Sequence, residues 1–168
     1  MARWREQIAA LWPEAAAGYA QFETADALAF ARYAEVRVKR FYEERVLHVG
    51  DAAHASSPQL GQGANMGLID GAAAGAAFAG ADLADLGALA EAGAAFTRMR
   101  ARHLAFYRFA SRWLTPFFQS DSALLGAARD AVFPLLPRLP LMRRLMAATL
   151  AGEKTGIFSE GGITPAPD

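Results

Sequence analysis

A short apolar run, Val46-Leu47-His48-Val49, ends in Gly50-Asp51, and a glycine-rich segment, Pro58-Gln59-Leu60-Gly61-Gln62-Gly63-Ala64-Asn65, follows it into a helix. An aspartate at the carboxyl end of a buried strand stands where open α/β sheets bind ligands. Its carboxylate can accept hydrogen bonds from ribose-like hydroxyls, and the small Ala52 and Ala53 leave room for a large ligand. The same aspartate could instead cap the next turn. Glycines 61 and 63 let the backbone approach a ligand without a Cβ in the way. The first N–H groups of the helix beyond them are unpaired and carry partial positive charge, so that end favours an anion or an electron-rich carbonyl.

Other chemistries fit the chain less well. The spacing Gly61-x-Gly63-x-x-x-Gly67 mimics a dinucleotide fingerprint, but such a fingerprint turns directly out of its strand, and here about ten residues intervene. Of the three histidines, Asp51 with His54 is too small a ligand set for a metal, and His48 and His103 read as satisfied core histidines. His54 reads as structural or close to the ligand. Ser56 and Ser57 lack the Gly-x-Ser-x-Gly elbow of a hydrolase, and no residue is assigned a catalytic role. Arg98, Arg100, Arg102, Arg108 and Arg112 read as the solvated face of a helix.

The elements that must position the motif follow from periodicity. Residues 2–20 read as helix with an apolar face of Ile8, Leu11 and Trp12, and Pro13 breaks it or opens a second helix. Residues 27–33 are strand-like. Val36 to Phe41 alternates apolar and basic residues, as in a strand with one solvated face, and Glu43 to Arg45 forms a turn. Val46 to Val49 reads as a buried strand. Helix is expected from Asn65, with Gly63, Gly67, Gly71 and Gly75 making a small-residue seam for close packing. The apolar stretch from Gly71 to Ala81, bounded by Asp70 and Asp82, is too short to span about 30 Å of hydrocarbon. A long helix then carries Leu89, Ala92, Phe96, Met99, His103, Phe106, Ala110 and Trp113 on one stripe, ended or kinked at Pro116. Helices over 123–133 and 141–150 flank a proline-rich joint, and a Gly/Pro-rich tail from Gly161 is expected to be disordered.

Composition bounds the function. At 168 residues and 54% hydrophobic, the chain can bury one real core. Its 17 Lys and Arg balance 17 Asp and Glu, which argues against a nucleic-acid binder. The absence of cysteine excludes a disulfide scaffold, a thiolate metal site and a Cys nucleophile. Trp4-Arg5-Glu6-Gln7 interrupts any opening signal peptide, and no transmembrane segment is evident, so a cytoplasmic location is expected.

Taken whole, Gly50-Asp51-Ala52-Ala53-His54-x-x-x-Pro58-x-x-Gly61-Gln62-Gly63-x-Asn65-x-Gly67-x-x-Asp70 resembles the flavin-contacting segment of the FAD-dependent aromatic-ring hydroxylases, the flavoprotein monooxygenases that include para-hydroxybenzoate and ubiquinone-pathway hydroxylases. The resemblance implies that Asp51 holds the ribityl chain of FAD, and that Gly50 and Gly61 belong to the same cofactor-binding set. It places Pro58 beside the flavin ring, and Gly63, Ala64 and Asn65 along the flavin N1–O2 edge. It further implies NAD(P)H as reductant, O₂ as oxidant and a small aromatic molecule as substrate. That family's Gly-x-Gly-x-x-Gly after a first strand is missing upstream of Asp51, as are its second dinucleotide motif and most of its substrate sheet. The expectation is therefore an α+β piece, a few strands followed by mostly helix, of a two-domain α/β FAD-binding fold, inactive alone. Residues 1–42 would end the substrate domain, 43–115 belong to the FAD domain, 116–160 form C-terminal helices and 161–168 a tail. A non-catalytic, helix-rich interaction protein derived from the fold, or a flavin-dependent reductase or halogenase relative, are the other readings.

Overall fold

In the computed structural model of the chain, residues 1–29, 34–157 and 159 are described. The chain divides into two units, Met1–Arg32 and Tyr33–Asp168.

In the first unit, α1 (Ala2–Leu11) stops at Trp12, and Pro13 opens a short 3₁₀ turn that leads into α2 (Ala16–Tyr19). A proline lacks the N–H a helix interior needs but fits a first turn, so the break falls where the sequence places it. Trp4 packs edge-on against Tyr19 at 5.4 Å, and the Arg5 guanidinium donates to the Ala20 carbonyl (3.4 Å). Leu11 and Trp12 stay largely exposed instead of forming a covered face. Ala25–Ala27 form a 3₁₀ turn that reaches the first residue of the expected strand, and Leu28 and Ala29 after it pair in no ladder among the described residues. Residues 30–33 of that expected strand lie outside the described residues, as does the tail from Gly161.

The second unit is mostly helical, with one two-stranded antiparallel sheet, β1 (Tyr42–Glu43) and β2 (Val46–Leu47). Tyr42 opposes Leu47 and Glu43 opposes Val46. The expected buried strand over 46–49 is corrected: only two residues pair, and Val46 and Val49 are 57% and 41% exposed. Among the described residues no second strand pairs with the far edge of Val46–Leu47, although Leu47 packs against the core. The expected strand from Val36 to Phe41 runs extended without a ladder. Val36 N–H donates to the Ala55 carbonyl (2.8 Å) and Val38 N–H to that of Ala53 (3.3 Å), so its partner is a helical turn.

That turn, α3 (Asp51–His54), leads through a 3₁₀ turn at Pro58–Leu60 to α4 (Gly63–Phe78) and then α5 (Leu86–Gln119). Alanine favours α4, although each interior glycine costs it about 1 kcal/mol, so tertiary packing must hold the helix. Met66, Ile69, Asp70 and Ala73 make its buried stripe at helical spacing. Asp85 begins α5 by accepting the Gly87 N–H at 2.8 Å. Leu89, Ala92, Phe96 and His103 of the expected stripe are buried, but the stripe continues through Arg100, Leu104, Tyr107 and Ser111, and Trp113 is exposed. The helix runs through Pro116 to Gln119. Phe41, Ala53, Met66, Ile69, Ala73, Phe96, Leu104 and Tyr107 form the core between α4 and α5. The Tyr42 ring lies so close over Gly93 that a Cβ there would overlap it.

Beyond α5, α6 (Ala123–Val132), a 3₁₀ stretch Phe133–Arg138 and α7 (Pro140–Leu150) form an arm, after which the chain returns to bury Gly152 and Lys154. Phe133 packs on Phe117 and Phe118 at the end of α5 (5.4 and 5.7 Å). No helix among the described residues is long and apolar enough to cross a membrane.

Candidate functional site

Gly50 turns the chain from β2 into α3 with φ +57° and ψ −139°, a conformation open in practice to glycine alone. Its N–H points inward and donates to Asp70 Oδ2 (2.7 Å). Gly67 of α4 lies against it: a Cβ on Gly67 would come 3.9 Å from Gly50 Cα, an ordinary contact. Backbone conformation, more than space, therefore demands glycine at position 50.

Asp51, first residue of α3, is exposed, and a Cβ on Gly63 would lie 3.9 Å from its Oδ1. The loop thus folds back to set the Asp51 carboxylate beside the start of α4. Pro58 begins the 3₁₀ turn, and Gly61 ends it at φ +62° with open space where a side chain would be. No side chain caps α4, whose first turn is Gly63, Ala64 and Asn65. Gly63 and Ala64 are exposed, while the Asn65 amide turns back to donate to Gln62 Oε1 (2.8 Å). Gln62 Nε2 donates to the Leu150 carbonyl (3.0 Å), and a Cβ on Gly152, which sits at φ +80°, would overlap the Asn65 amide. The end of α7 therefore rests on the Gln62–Asn65 side of this turn. Of the expected site residues, the structure brings Asp51 together with Gly63 and leaves Gly61 and Ala64 open beside them. Gly50 N–H and the Asn65 side chain are engaged within the protein.

Beneath this surface lies a polar junction that sequence reasoning passed over. Asp70 is fully buried; His54 Nε2 donates to its Oδ2 (2.6 Å) and Arg100 Nε to its Oδ1 (2.6 Å). Arg100, 1% exposed, also donates to His103 Nδ1 and to the Met66 carbonyl (3.4 Å). His103 Nε2 donates to the Gly152 carbonyl (2.6 Å). Arginine can only donate and a carbonyl only accept, so these partners fix the neutral His103 ring with its proton on Nε2. Burial alone would raise the Asp70 pKa, but the hydrogen bonds from His54, Gly50 and Arg100, with the Arg100 charge, hold it below the ordinary value. Burial pushes His103 down, and its bond to Gly152 only partly offsets this.

The reading of Arg100 as part of a solvated face is corrected here. His103 is a satisfied core histidine as expected; His48 is half-buried, its main-chain N–H donating to the Phe41 carbonyl (2.7 Å). The missed signal was spacing: Arg100 falls four residues after Phe96 and four before Leu104, on the buried stripe. Among the described residues, no group of three His, Asp or Glu gathers as a metal site. A cleft of about 350 Å³ opens between residues 56–57 and the later part of α5, with Arg108 and Arg112 on one wall. Ser111 Oγ ties the two sides by donating to the Ser57 carbonyl (3.1 Å).

An uncapped helix start and a carboxylate thus stand side by side above a buried ion pair. Residues 2–82, just under half the chain, match the family model described as FAD binding domain. The match supports an FAD-binding domain of the flavin-dependent hydroxylase kind. No curated protein and no solved structure matched the chain.

Proposed function

We propose that this chain carries the flavin-edge half of an FAD site in an NAD(P)H-dependent monooxygenase acting on a small aromatic molecule. One observation carries the reading: the Asp51 carboxylate stands beside the uncapped start of α4, within a segment matched by the FAD-binding family. The residues present fit part of the cofactor. Asp51 would accept hydrogen bonds from ribityl hydroxyls, and the free N–H groups at Gly63 and Ala64 would face the N1–O2 edge, where reduced flavin is anionic. Pro58 would lie beside the ring. Bound FAD would supply the redox and oxygen chemistry. The chain's own part is to bind and orient. Gly50 sets the corner, Asp70 anchors it to α4, and Arg100 ties α4 to α5, so Asp51 and the helix start keep their spacing without a ligand to organise them. Asp51, Pro58, Gly63 and Ala64 address the ribityl and flavin-ring side of the cofactor.

Titrating the chain with FAD, followed by flavin fluorescence, tests this. Weak binding is expected, and Asp51→Ala should weaken it further by about 1.5–3 kcal/mol, the worth of hydrogen bonds to a charged group. Equal affinity in the two proteins would remove Asp51 from the site.

A further inference from the structure

The cleft between residues 56–57 and the later part of α5 is lined by none of the residues given to the flavin. Arg108, Arg112, Thr115 and Gln119 follow one another at steps of four, three and four, so they share one face of the helix. Glu35, Ser56 and Ser57 line the cleft opposite them. The protein itself ties the two walls together. The buried Ser111 donates to the Ser57 carbonyl (3.1 Å), and Ser57 Oγ donates to Gln119 Oε1 (3.4 Å). Next to Glu35, Val36 N–H donates to the Ala55 carbonyl (2.8 Å), which keeps that segment against the Ser56 loop. The cleft therefore stands open before any ligand enters, and its volume of about 350 Å³ is that of a small-molecule site.

The groups left unbonded in the cleft are donors. Thr115 Oγ1 donates to the Ser111 carbonyl (2.8 Å), so the hydroxyl protons of Ser57, Ser111 and Thr115 are all committed. The Ser56 hydroxyl, Gln119 Nε2 and the guanidinium groups of Arg108 and Arg112 have no hydrogen bond and no ion pair among the described residues. Glu35, the one acid in the lining, forms no ion pair with either arginine, so positive charge is in excess. Arg108 is half-buried. That burial, with the like charge of Arg37 nearby, lowers its pKa, and Glu35 only partly offsets this. A cation partly stripped of water thus stands with no anion bonded to it. An oxyanion between Arg108 and Arg112 would supply both the missing acceptor and the missing charge, and the guanidinium fork matches carboxylate or phosphate oxygens in pairs. Ala34, Pro116 and the arginine stems give the cleft an apolar part beyond these donors, with room for an organic body.

We propose that this cleft binds a small organic anion, its carboxylate or phosphate group held by Arg108 and Arg112 and its body against Ala34 and Pro116. The proposal stands independently of the flavin reading. Its test is titration of the ¹⁵N-labelled chain with benzoate, phenyl phosphate and inorganic phosphate, in a buffer free of other oxyanions at about 0.05 M salt, reading amide shifts. Saturable shifts at Ser56, Ser57 and along Arg108 to Thr115 are expected with at least one of the two aromatic anions, and which of them binds tighter identifies the anionic group. Arg108→Gln should weaken that binding by about tenfold or more, as for a lost hydrogen bond between charged groups. Arg112→Gln, at a more exposed position, should weaken it by about threefold. Glu35→Gln should act in the opposite direction and tighten it by about twofold to fivefold, since it removes the competing negative charge. A variant that merely loosened the fold would not bind more tightly, so this change separates a binding role from a structural one. No saturable shift at the cleft with either aromatic anion overturns the proposal, as does binding that Arg108→Gln and Glu35→Gln leave unchanged. Inorganic phosphate binding as tightly as the aromatic anions would show a site for the bare ion and overturn the organic ligand.

Discussion

Around Asp70, one carboxylate takes donors from Gly50, His54 and Arg100, and His103 extends the set to the carbonyl of Gly152. From Ser122 to Leu150, in contrast, no side chain is buried and apolar groups face water. The first region buries charge and satisfies it; the second leaves hydrophobic surface uncovered. In the first, Asp70, Arg100 and His103 are each held by more than one neighbour. In the second, the arm is held by the aromatic contacts of Phe133, by Arg129 donating to the Phe117 carbonyl, by the Tyr107 hydroxyl donating to the Thr149 carbonyl, and by Gln62 donating to that of Leu150. A substitution should therefore cost stability at the junction and little on the exposed side of the arm.

The largest expected effect is at the centre of the junction. Asp70→Ala should cost about 3–5 kcal/mol, because it strands a buried guanidinium with no counter-charge. Urea unfolding would measure it, and a loss below about 1 kcal/mol would show that the junction does not set stability. Acid should act on the same region in two stages. The His103 pKa is lowered in the folded chain, so the unfolded chain binds that proton first, and stability should fall as pH drops below the ordinary histidine value of 6.5. Asp70 is also lowered, so its contribution persists to lower pH and is lost only below the ordinary 3.8, through its folded value. Midpoints measured from pH 8 to 3 should show both declines, and His103→Gln should remove the first. The smallest effect belongs to the arm: Leu124→Ser should change the unfolding midpoint by no more than about 0.5 kcal/mol equivalent. A loss like that of Asp70→Ala would erase the contrast between the regions.

Much of the scaffold could be read from residue pattern. Pro13 divides the first helix, α4 and α5 follow their periodicity, and the prolines at 134, 137 and 140 mark the joint of the arm. The strands were less legible. Alternation at Val36–Phe41 and the apolar run at Val46–Val49 describe an extended chain equally well with or without neighbours, and pairing depends on partners elsewhere. At the site, the glycines and Asp51 announce themselves by type, whereas Asp70 and Arg100 are types that lie at the surface far more often than inside. Only their registration with Met66, Ile69, Phe96 and Leu104 betrays them, and that registration acquires meaning once α4 and α5 are known to face each other.

The three donors to Asp70 have a consequence for the order of assembly. They come from positions 20, 16 and 30 residues away along the chain. A partly formed junction would hold an under-satisfied carboxylate in a poor solvent for charge, so no intermediate gains by dehydrating it early. Its dehydration belongs after the folding barrier, when α4, α5 and the Gly50 corner have already met. The ion pair then acts less as a nucleus than as a latch, setting how slowly the folded chain reopens and hardly at all how fast it closes.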